Sequence, residues 1–233
     1  MRLFRRIVDG SSFFLGKLKH NQRVILPNDH RLLKVNIGCG LAVASGWINI
    51  DGSLNALVAT LPPFVHRYFY RLTGARQYYS RDEYLLLLRE HRFVHHDLRY
   101  GLPLADEIVD YLYSSHFIEH LFRKDAEYLL RESYRVLKPG GIIRISVPDL
   151  EYAITLYKDG EKEKMLSNYF FVEDDNSYYA RHKYMYDFDM LAEILDNINF
   201  INIQRCTFRK GLTPDIETLD NRAGDSLFLE ATK

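Results

Sequence analysis

The 233-residue chain is 47% hydrophobic and 27% charged, and its 31 lysine and arginine residues are balanced by 31 aspartate and glutamate residues. This composition is typical of a single globular domain, and the charge balance leaves no overall electrostatic footprint for nucleic acid. No apolar run approaches the roughly 20 residues that a membrane-spanning helix needs.

Residues 1–30 are predicted to form a basic N-terminal arm. They hold six lysine and arginine residues against two aspartates, which would suit peripheral contact with a membrane surface. The apolar run 13–15 is too short for the core of a secretory signal, which needs about 7 residues. The two cysteines, Cys39 and Cys206, do not suggest a disulfide framework, so a reducing, cytoplasmic location is expected.

From residue 33 onward, short apolar runs alternate with helix-like segments. The predicted strands are Leu33–Ile37, Trp47–Ile50, Phe93–His96, Ile108–Tyr113, Ile142–Val147, Ile201–Cys206 and Ser226–Ala231. This alternation predicts one α/β domain over residues 1–233, with a Rossmann-like open twisted sheet of about seven mainly parallel strands and helices on both faces.

The clearest predicted helix is Ala126–Leu137, whose apolar residues recur at helical spacing. We expect Asp125 to cap its start and the run Pro139-Gly140-Gly141 to stop it. A second helix, Asp189–Asp196, is predicted to lead into the strand that begins at Ile201.

Two segments exceed a minimal sheet domain, and both are predicted to be helices or lids over one edge of the sheet. They are the insertions 52–90 and 151–182. The run 64–81 in the first insertion combines tyrosines with four arginines, Arg67, Arg71, Arg76 and Arg81, and has no acid. Such a run suits nucleic acid, a sugar phosphate or an acidic surface, but it also fits a helix that packs its aromatics and solvates its arginines.

The stretch KVNIGCG ends a predicted strand in Gly38 and Gly40, where the backbone can approach a ligand closely. Asp51 and Asp97 follow the next two strands. Because ligands of open parallel sheets bind beyond the carboxyl ends of the strands, these residues are expected to share one site. One carboxylate suits the ribose diol, and a second beside a backbone N–H suits an adenine edge, so the pattern predicts a nucleoside site.

A dinucleotide is the main alternative ligand. Its fingerprint G-x-G-x-x-G would place a third glycine at position 43, which is Val43. Only 10 residues separate Gly40 from Asp51, too few for a full helix that would face a pyrophosphate. The phosphate-binding motif G-x-x-x-x-G-K-[ST] is also absent, so a nucleoside without phosphate fits best and an NAD-linked enzyme is disfavoured.

Five motifs in register resemble the class I S-adenosylmethionine-dependent methyltransferases, of the type 11-like kind. They are VNIGCG, GWINID, HHDL, VDYLYSSHFIEHL and YRVLKPGGIIRISVPDL. The resemblance is strong over residues 33–150 and looser over 183–233. The most similar subgroup is the small bacterial methyltransferases often found near sugar-polymer biosynthesis genes.

The resemblance implies S-adenosylmethionine as cofactor and a role for each strand end. It implies that the loop of Gly38, Cys39 and Gly40 lies against the methionine part, that Asp51 holds the ribose, that Asp97 with Leu98 holds the adenine, and that Ser114 and Ser115 lie where donor and acceptor meet. One departure is Asn36, since many members carry an acid at this position. Cys39 is interpreted as a packing residue rather than a nucleophile.

The stretch SSHFIEHL offers His116, Glu119 and His120, and His182 follows the second insertion. The spacing of His116 and His120 can bind zinc, but no third ligand is evident in the sequence, so no metal is predicted. We expect a histidine to serve as general base, with His116 and His182 ahead of His120, because imidazole titrates near neutral pH. Glu119 is a weaker candidate, since its pKa would have to be raised by burial.

The sequence therefore predicts methyl transfer from S-adenosylmethionine to a small or polymer-linked acceptor, with a sugar or glycan hydroxyl favoured. Methylation of DNA bases is disfavoured because the signature [ND]-P-P-[FYW] is absent after the fourth strand. A catalytically silent, nucleoside-binding scaffold of the same fold is the alternative. Both insertions are expected to form the acceptor side, with at least one of them mobile. The sequence leaves the oligomeric state open.

Overall fold

The computed structural model describes residues 23–24, 32–170 and 181–233. The predicted basic arm falls outside the described residues except for 23–24, and so does the end of the second insertion, from 171 to 180. Within the described chain, no helix is long and apolar enough to cross a membrane.

A seven-stranded open sheet organises the molecule, as predicted. Its strands are β1 (Lys34–Ile37), β2 (Trp47–Asp51), β3 (Arg92–His95), β4 (Val109–Ser115), β5 (Leu137–Pro148), β6 (Ile201–Cys206) and β7 (Ser226–Thr232). Their order is β3-β2-β1-β4-β5-β7-β6. The first five strands are parallel, and β7 runs antiparallel between β5 and β6.

Helices surround the sheet. They are α1 (Leu54–Ala59), α2 (Pro63–Phe69), α3 (Arg81–Glu90), α4 (Arg123–Val136), α5 (Leu150–Lys158), α6 (Lys162–Met165), α7 (Phe188–Asp196) and α8 (Ile216–Leu219). Single 3₁₀ turns occur at Ala75–Gln77, Leu98–Tyr100 and Ile118–His120, and a π turn at Leu166–Phe170. Residues 38–46, between β1 and β2, contain no helix, which agrees with the short spacing seen in the sequence.

Neighbouring residues of a strand point to opposite faces of the sheet, and buried clusters lie on both faces here. Ile48 belongs to the main core, which also contains the apolar face of α4. Its neighbour Trp47 belongs to a smaller cluster with Tyr113 and with Leu219 of α8. The core therefore lies mainly on the α4 side and is closed on the other side by α8.

The boundary between α4 and β5 differs from the prediction. The helix begins after Phe122, which makes no side-chain cap, while Asp125 lies within the first turn. The run from Pro139 to Gly141 does not stop the helix, because α4 already ends at Val136 and β5 begins at Leu137. The register between β4 and β5 shifts at this place, so the run forms a bulge that accommodates a proline without an N–H.

The first insertion is helical and has its own small core of Val58, Ala75, Tyr84 and Leu88. Helix α3 begins with a capping box in which Ser80 and Glu83 bond to each other's backbone N–H. Residues 38–46, which follow β1 and begin with Gly38 and Gly40, are called the glycine loop, and its Leu41 packs on this cluster. The insertion is therefore anchored to the loop that follows β1.

Candidate active site

The two glycines after β1 have different surroundings. Both adopt positive φ, +64° at Gly38 and +52° at Gly40. A Cβ at Gly38 would lie 2.0 Å from the ring of Phe117, whereas a Cβ at Gly40 would meet nothing within 4 Å. Gly38 thus permits close packing against the turn after β4, and Gly40 faces open space where a ligand can approach.

Asp51 ends β2 beside this loop. Its carboxylate accepts hydrogen bonds from the backbone N–H of Gly40 at 2.9 Å and of Ser53 at 2.6 Å. The side chain is 6% exposed. The structure therefore brings Asp51 and the glycine loop together, as the motif spacing predicted.

Asn36 supports the same loop from within β1. Its amide donates to the carbonyl of Ala42 at 2.8 Å and lies 3.3 Å from Oδ1 of Asn49. A neutral, buried amide here fixes the path of the chain between β1 and β2. This role of Asn36 was not predicted, because the resemblance only marked the position as a departure.

Asp97 caps the 3₁₀ turn Leu98–Tyr100 after β3. Its carboxylate accepts from the backbone N–H of Arg99 at 3.1 Å and from the guanidinium of the same residue at 2.6–3.2 Å. Leu98 is buried in the main core, where its side chain packs. The adenine contact of Asp97 and Leu98 stays a prediction, and an adenine amine would share the carboxylate with Arg99.

Ser114 and Ser115 lie inside β4 rather than after it. Ser114 is 2% exposed, and its hydroxyl has no hydrogen-bond partner among the described residues. Cys39 is also buried, and desolvation, reinforced by the charge of Asp51, raises the pKa of its thiol well above the usual value. A neutral thiol agrees with its interpretation as a packing residue.

The turn after β4 begins at His116, which adopts a φ of +48°. Its backbone N–H donates to the carbonyl of Ser146 at 2.8 Å, and its Nε2 lies 2.8 Å from the hydroxyl of Ser226. Left-handed backbone is uncommon for a non-glycine residue and is found often at functional sites. The unusual conformation directs the chain so that Phe117 reaches Gly38.

Glu119 lies at the centre of the histidines and is 0% exposed. Its Oε1 is 3.6 Å from Nδ1 of His116 and 3.7 Å from Nε2 of His120. Burial raises the pKa of Glu119 to about 8 and lowers the pKa of His116 to about 3 and that of His120 to about 4. Arg222, with its guanidinium 3.5 Å from Nδ1 of His116, adds to the lowering at His116.

His182, the last residue of the second insertion, also lies in this group. Its ring centroid lies 5.0 Å from that of His120, and its Nδ1 lies 2.7 Å from the carbonyl of Tyr169. The backbone N–H of Lys183 donates to the carbonyl of Glu119 at 2.8 Å, which pins this segment to the turn. We call His116, Glu119, His120 and His182 the imidazole cluster. It unites all three histidines that the sequence selected.

The fold and the site together define a class of protein. A parallel sheet with a reversed strand next to its edge, a glycine loop after β1 and an acid at the end of β2 describe a nucleoside-binding domain. The turn after β4 packs on the glycine loop through the contact of Phe117 with Gly38.

Comparison with known proteins identifies a domain within the chain. Residues 35–145 match the family model described as a methyltransferase domain. Residues 35–145, just under half of the chain, thus form a domain similar to the S-adenosylmethionine-dependent methyltransferases, for which S-adenosylmethionine is the cofactor.

Individual relatives agree with this assignment. A probable S-adenosylmethionine-dependent methyltransferase of Mycolicibacterium smegmatis is 39% identical over 62 residues, which span 25% of this chain and 23% of that relative. The solved structure of a SAM-dependent methyltransferase from Archaeoglobus fulgidus superposes with a TM-score of 0.50 and 16% identity, covering 99% of this chain and 98% of that one. The latter likeness supports the fold.

Proposed function

We propose that this protein transfers the methyl group of S-adenosylmethionine to a hydroxyl oxygen of a small or polymer-linked acceptor, such as a sugar or a glycan precursor. The observation that carries the proposal is the imidazole cluster at the end of β4, next to the glycine loop. A hydroxyl must lose its proton during the transfer, and we propose that a neutral imidazole nitrogen of the cluster accepts it, since burial keeps the pKa values of His116 and His120 low.

The tautomers of two histidines favour this chemistry. Nδ1 of His120 and Nδ1 of His182 each lie within hydrogen-bond distance of a backbone carbonyl, at 3.2 Å and 2.7 Å. Because a carbonyl can only accept, each Nδ1 carries the proton, and each Nε2 presents a lone pair. His116, the third candidate base, is engaged through Nε2 with Ser226.

The reaction itself needs mainly alignment. The acceptor oxygen attacks the methyl carbon while the carbon–sulfur bond breaks, and the sulfur keeps the bonding electron pair and becomes a neutral thioether. Since the sulfonium is already activated, holding oxygen, carbon and sulfur in line supplies much of the rate. The turn 116–120, whose residues Ile118 and Glu119 are buried, and the carbonyl-anchored His182 provide rigid supports for that alignment.

A groove in the first insertion supports an anionic or sugar-bearing acceptor. It has a cavity volume of about 570 Å³. Its lining residues are Arg67, Tyr68, Tyr70, Arg71, Ser80, Arg81 and Asp82. Arginine forks bind phosphate and carboxylate groups, and tyrosines stack on sugars and bases. The same insertion reaches the glycine loop, where the hydroxyl of Tyr79 lies 3.4 Å from the carbonyl of Leu41.

The test has two stages. Calorimetry should detect micromolar binding of S-adenosylmethionine and of its demethylated product, and no binding of NAD. A screen of nucleotide sugars and glycan fragments, read by formation of the demethylated product, should then identify an oxygen acceptor. Binding of NAD alone would contradict the proposal, and donor binding without turnover on any acceptor would favour a silent nucleoside-binding scaffold.

A further inference from the structure

We propose that Glu119, His120 and His182 bind a divalent first-row metal cation beside the methyl donor. The three side chains each offer one ligand atom, and these atoms all lie within 4.8 Å of one another. Binding of the cation is independent of the function proposed above, whereas its use in catalysis rests on that function.

The donor set suits such a cation. Two imidazole nitrogens and one carboxylate oxygen form the protein part of many catalytic zinc and iron(II) sites, which keep further positions open. Ligands of one such ion, each at about 2.1 Å, lie roughly 3 to 3.5 Å apart. Oε1 of Glu119 and Nε2 of His120 are already 3.7 Å apart, and all three ligand atoms lie within 4.8 Å of one another, so the set needs only a small contraction to reach that spacing.

Both histidines are held in the form that binds metal. Nδ1 of His120 lies 3.2 Å from the carbonyl of Arg181, and Nδ1 of His182 lies 2.7 Å from the carbonyl of Tyr169. These carbonyls fix the proton on Nδ1 and leave the lone pair on Nε2. A second ring nitrogen that donates to a carbonyl or carboxylate is the usual support of a metal-binding histidine.

Glu119 supplies an independent indication. Its side chain is 1% exposed, yet neither carboxylate oxygen has a hydrogen-bond partner on another described residue. Buried polar atoms are normally satisfied, and an unsatisfied carboxylate is costly. Imidazole nitrogens of His116 and His120 lie 3.6 and 3.7 Å from Oε1, a spacing that leaves room for a bridging ion.

Backbone hydrogen bonds hold the three ligand residues together in the absence of an ion. The carbonyl of Glu119 accepts from the N–H groups of Lys183 and Tyr184, at 2.8 and 3.2 Å. Nζ of Lys183 also donates to the carbonyl of His120 at 2.7 Å. His182 is therefore fixed against the turn that carries the other two ligands, although more than 60 residues of chain separate them.

When the cation is bound, Nε2 of His120 and Nε2 of His182 are occupied as ligands and no longer accept the acceptor's proton, and open positions on the cation would bind the acceptor hydroxyl instead. Coordination favours loss of the hydroxyl proton to water, after which the oxygen bonds to the methyl carbon as the carbon–sulfur bond breaks toward sulfur. The acceptor class that fits best carries a second oxygen next to the reacting hydroxyl, because two oxygens can occupy two open positions at once.

The direct test is metal binding by the chelator-treated full chain. Calorimetric titration with Zn²⁺ and with Mn²⁺ should show about one equivalent of at least one cation in the wild type. Glu119→Gln and His182→Ala should each weaken binding at least 10–100-fold, since even residues that only support metal ligands have effects of that size. His91→Ala is the matched control, because His91 also places Nδ1 3.0 Å from a carbonyl but lies after α3.

Two readouts separate the outcomes. The cation should raise the melting temperature of the wild type and of His91→Ala but not of the ligand variants. Binding of the demethylated donor product to His182→Ala should stay measurable, which shows a folded protein and tests the donor site separately. Absence of metal binding in the wild type, or equal binding by the ligand variants, would overturn the proposal and leave the cluster as a buried acid beside neutral imidazoles.

Discussion

Gly38 and Gly40 lie two residues apart in one loop but have different neighbours. The substitution Gly38→Ala would drive a methyl group into the ring of Phe117, whereas Gly40→Ala would point it into open space. We expect Gly38→Ala to cost about 1–3 kcal/mol of unfolding free energy from overpacking, in addition to roughly 1–2 kcal/mol from the left-handed backbone. Gly40→Ala should show only the backbone cost.

Urea denaturation measures this difference, and a double variant checks its cause. Combining Gly38→Ala with Phe117→Ala should recover the overpacking part, so the two substitutions should be non-additive. Equal destabilisation by Gly38→Ala and Gly40→Ala would show that Phe117 does not constrain the loop. Donor affinity should fall in Gly40→Ala, because its methyl group faces the predicted position of the methionine.

Asp51 is predicted to bind the ribose of the donor. Replacing it with alanine should weaken binding of S-adenosylmethionine by about 1.5–3 kcal/mol, the range for hydrogen bonds to a charged group. Part of the effect will come from the loop, since Asp51 also accepts from Gly40. Asp82→Ala, at an exposed position of α3, is the control for loss of one negative charge. Calorimetry that gives an unchanged Kd for Asp51→Ala would remove this residue from the site.

Local residue patterns predicted some elements of this molecule better than others. The strands were recognised because apolar runs are local; six occur within two residues of their predicted bounds, and β5 begins five residues earlier than predicted. The bulge in β5 was mistaken for a helix stop, because Pro139 and its glycines break a helix and a strand alike. The imidazole cluster needed the fold, since only backbone bonds from 183–184 to Glu119 bring His182 to the turn.

Both insertions have a buried cluster and a capped helix, but packing within the second is uneven. Its helix α6 has no buried residue, so we expect this segment to be the more mobile part. Amide hydrogen exchange should therefore be fast over 162–168 and slow over α3 in the free protein. Adding the demethylated product with an acceptor should slow exchange over 162–168. Protection equal to that of the sheet before any ligand is added would contradict closure by this segment.

A buried ionic network joins the last strands of the whole molecule. Arg144 in β5 is 0% exposed and bonds to both oxygens of Asp220, at 3.1 and 2.6 Å, and to Glu230 in β7 at 3.1 Å. The hydroxyl of Tyr113 also donates to Asp220 at 3.0 Å. Sequence analysis missed this network, because Arg144 sits within an apolar run and its partners lie 76 and 86 residues away.

The substitution Arg144→Ala should show how much the network contributes to the free energy of unfolding. We expect Arg144→Ala to destabilise the fold by about 3–5 kcal/mol, since it leaves two buried acids without their cation. Arg205→Ala is the control, because Arg205 pairs with Glu151 at the surface and exposed pairs contribute about 0–1 kcal/mol. Denaturation curves compare the two, and a loss below about 1 kcal/mol in Arg144→Ala would mean that the network is not structural.

The absence of a helix over 38–46 has a consequence for which adenosine compounds compete with the donor. A helix N-terminus would present a partial positive charge and stabilise a bound phosphate. Here the loop is instead hydrogen-bonded to the Asp51 carboxylate and the Asn36 amide. Adding phosphates to adenosine should therefore weaken competition with S-adenosylmethionine instead of strengthening it. Displacement assays with adenosine, AMP and ADP measure this order, and tighter binding of ADP would contradict it. We therefore expect the loop to discriminate by the sign of the ligand's charge and to favour a nucleoside that carries a sulfonium over one that carries phosphate.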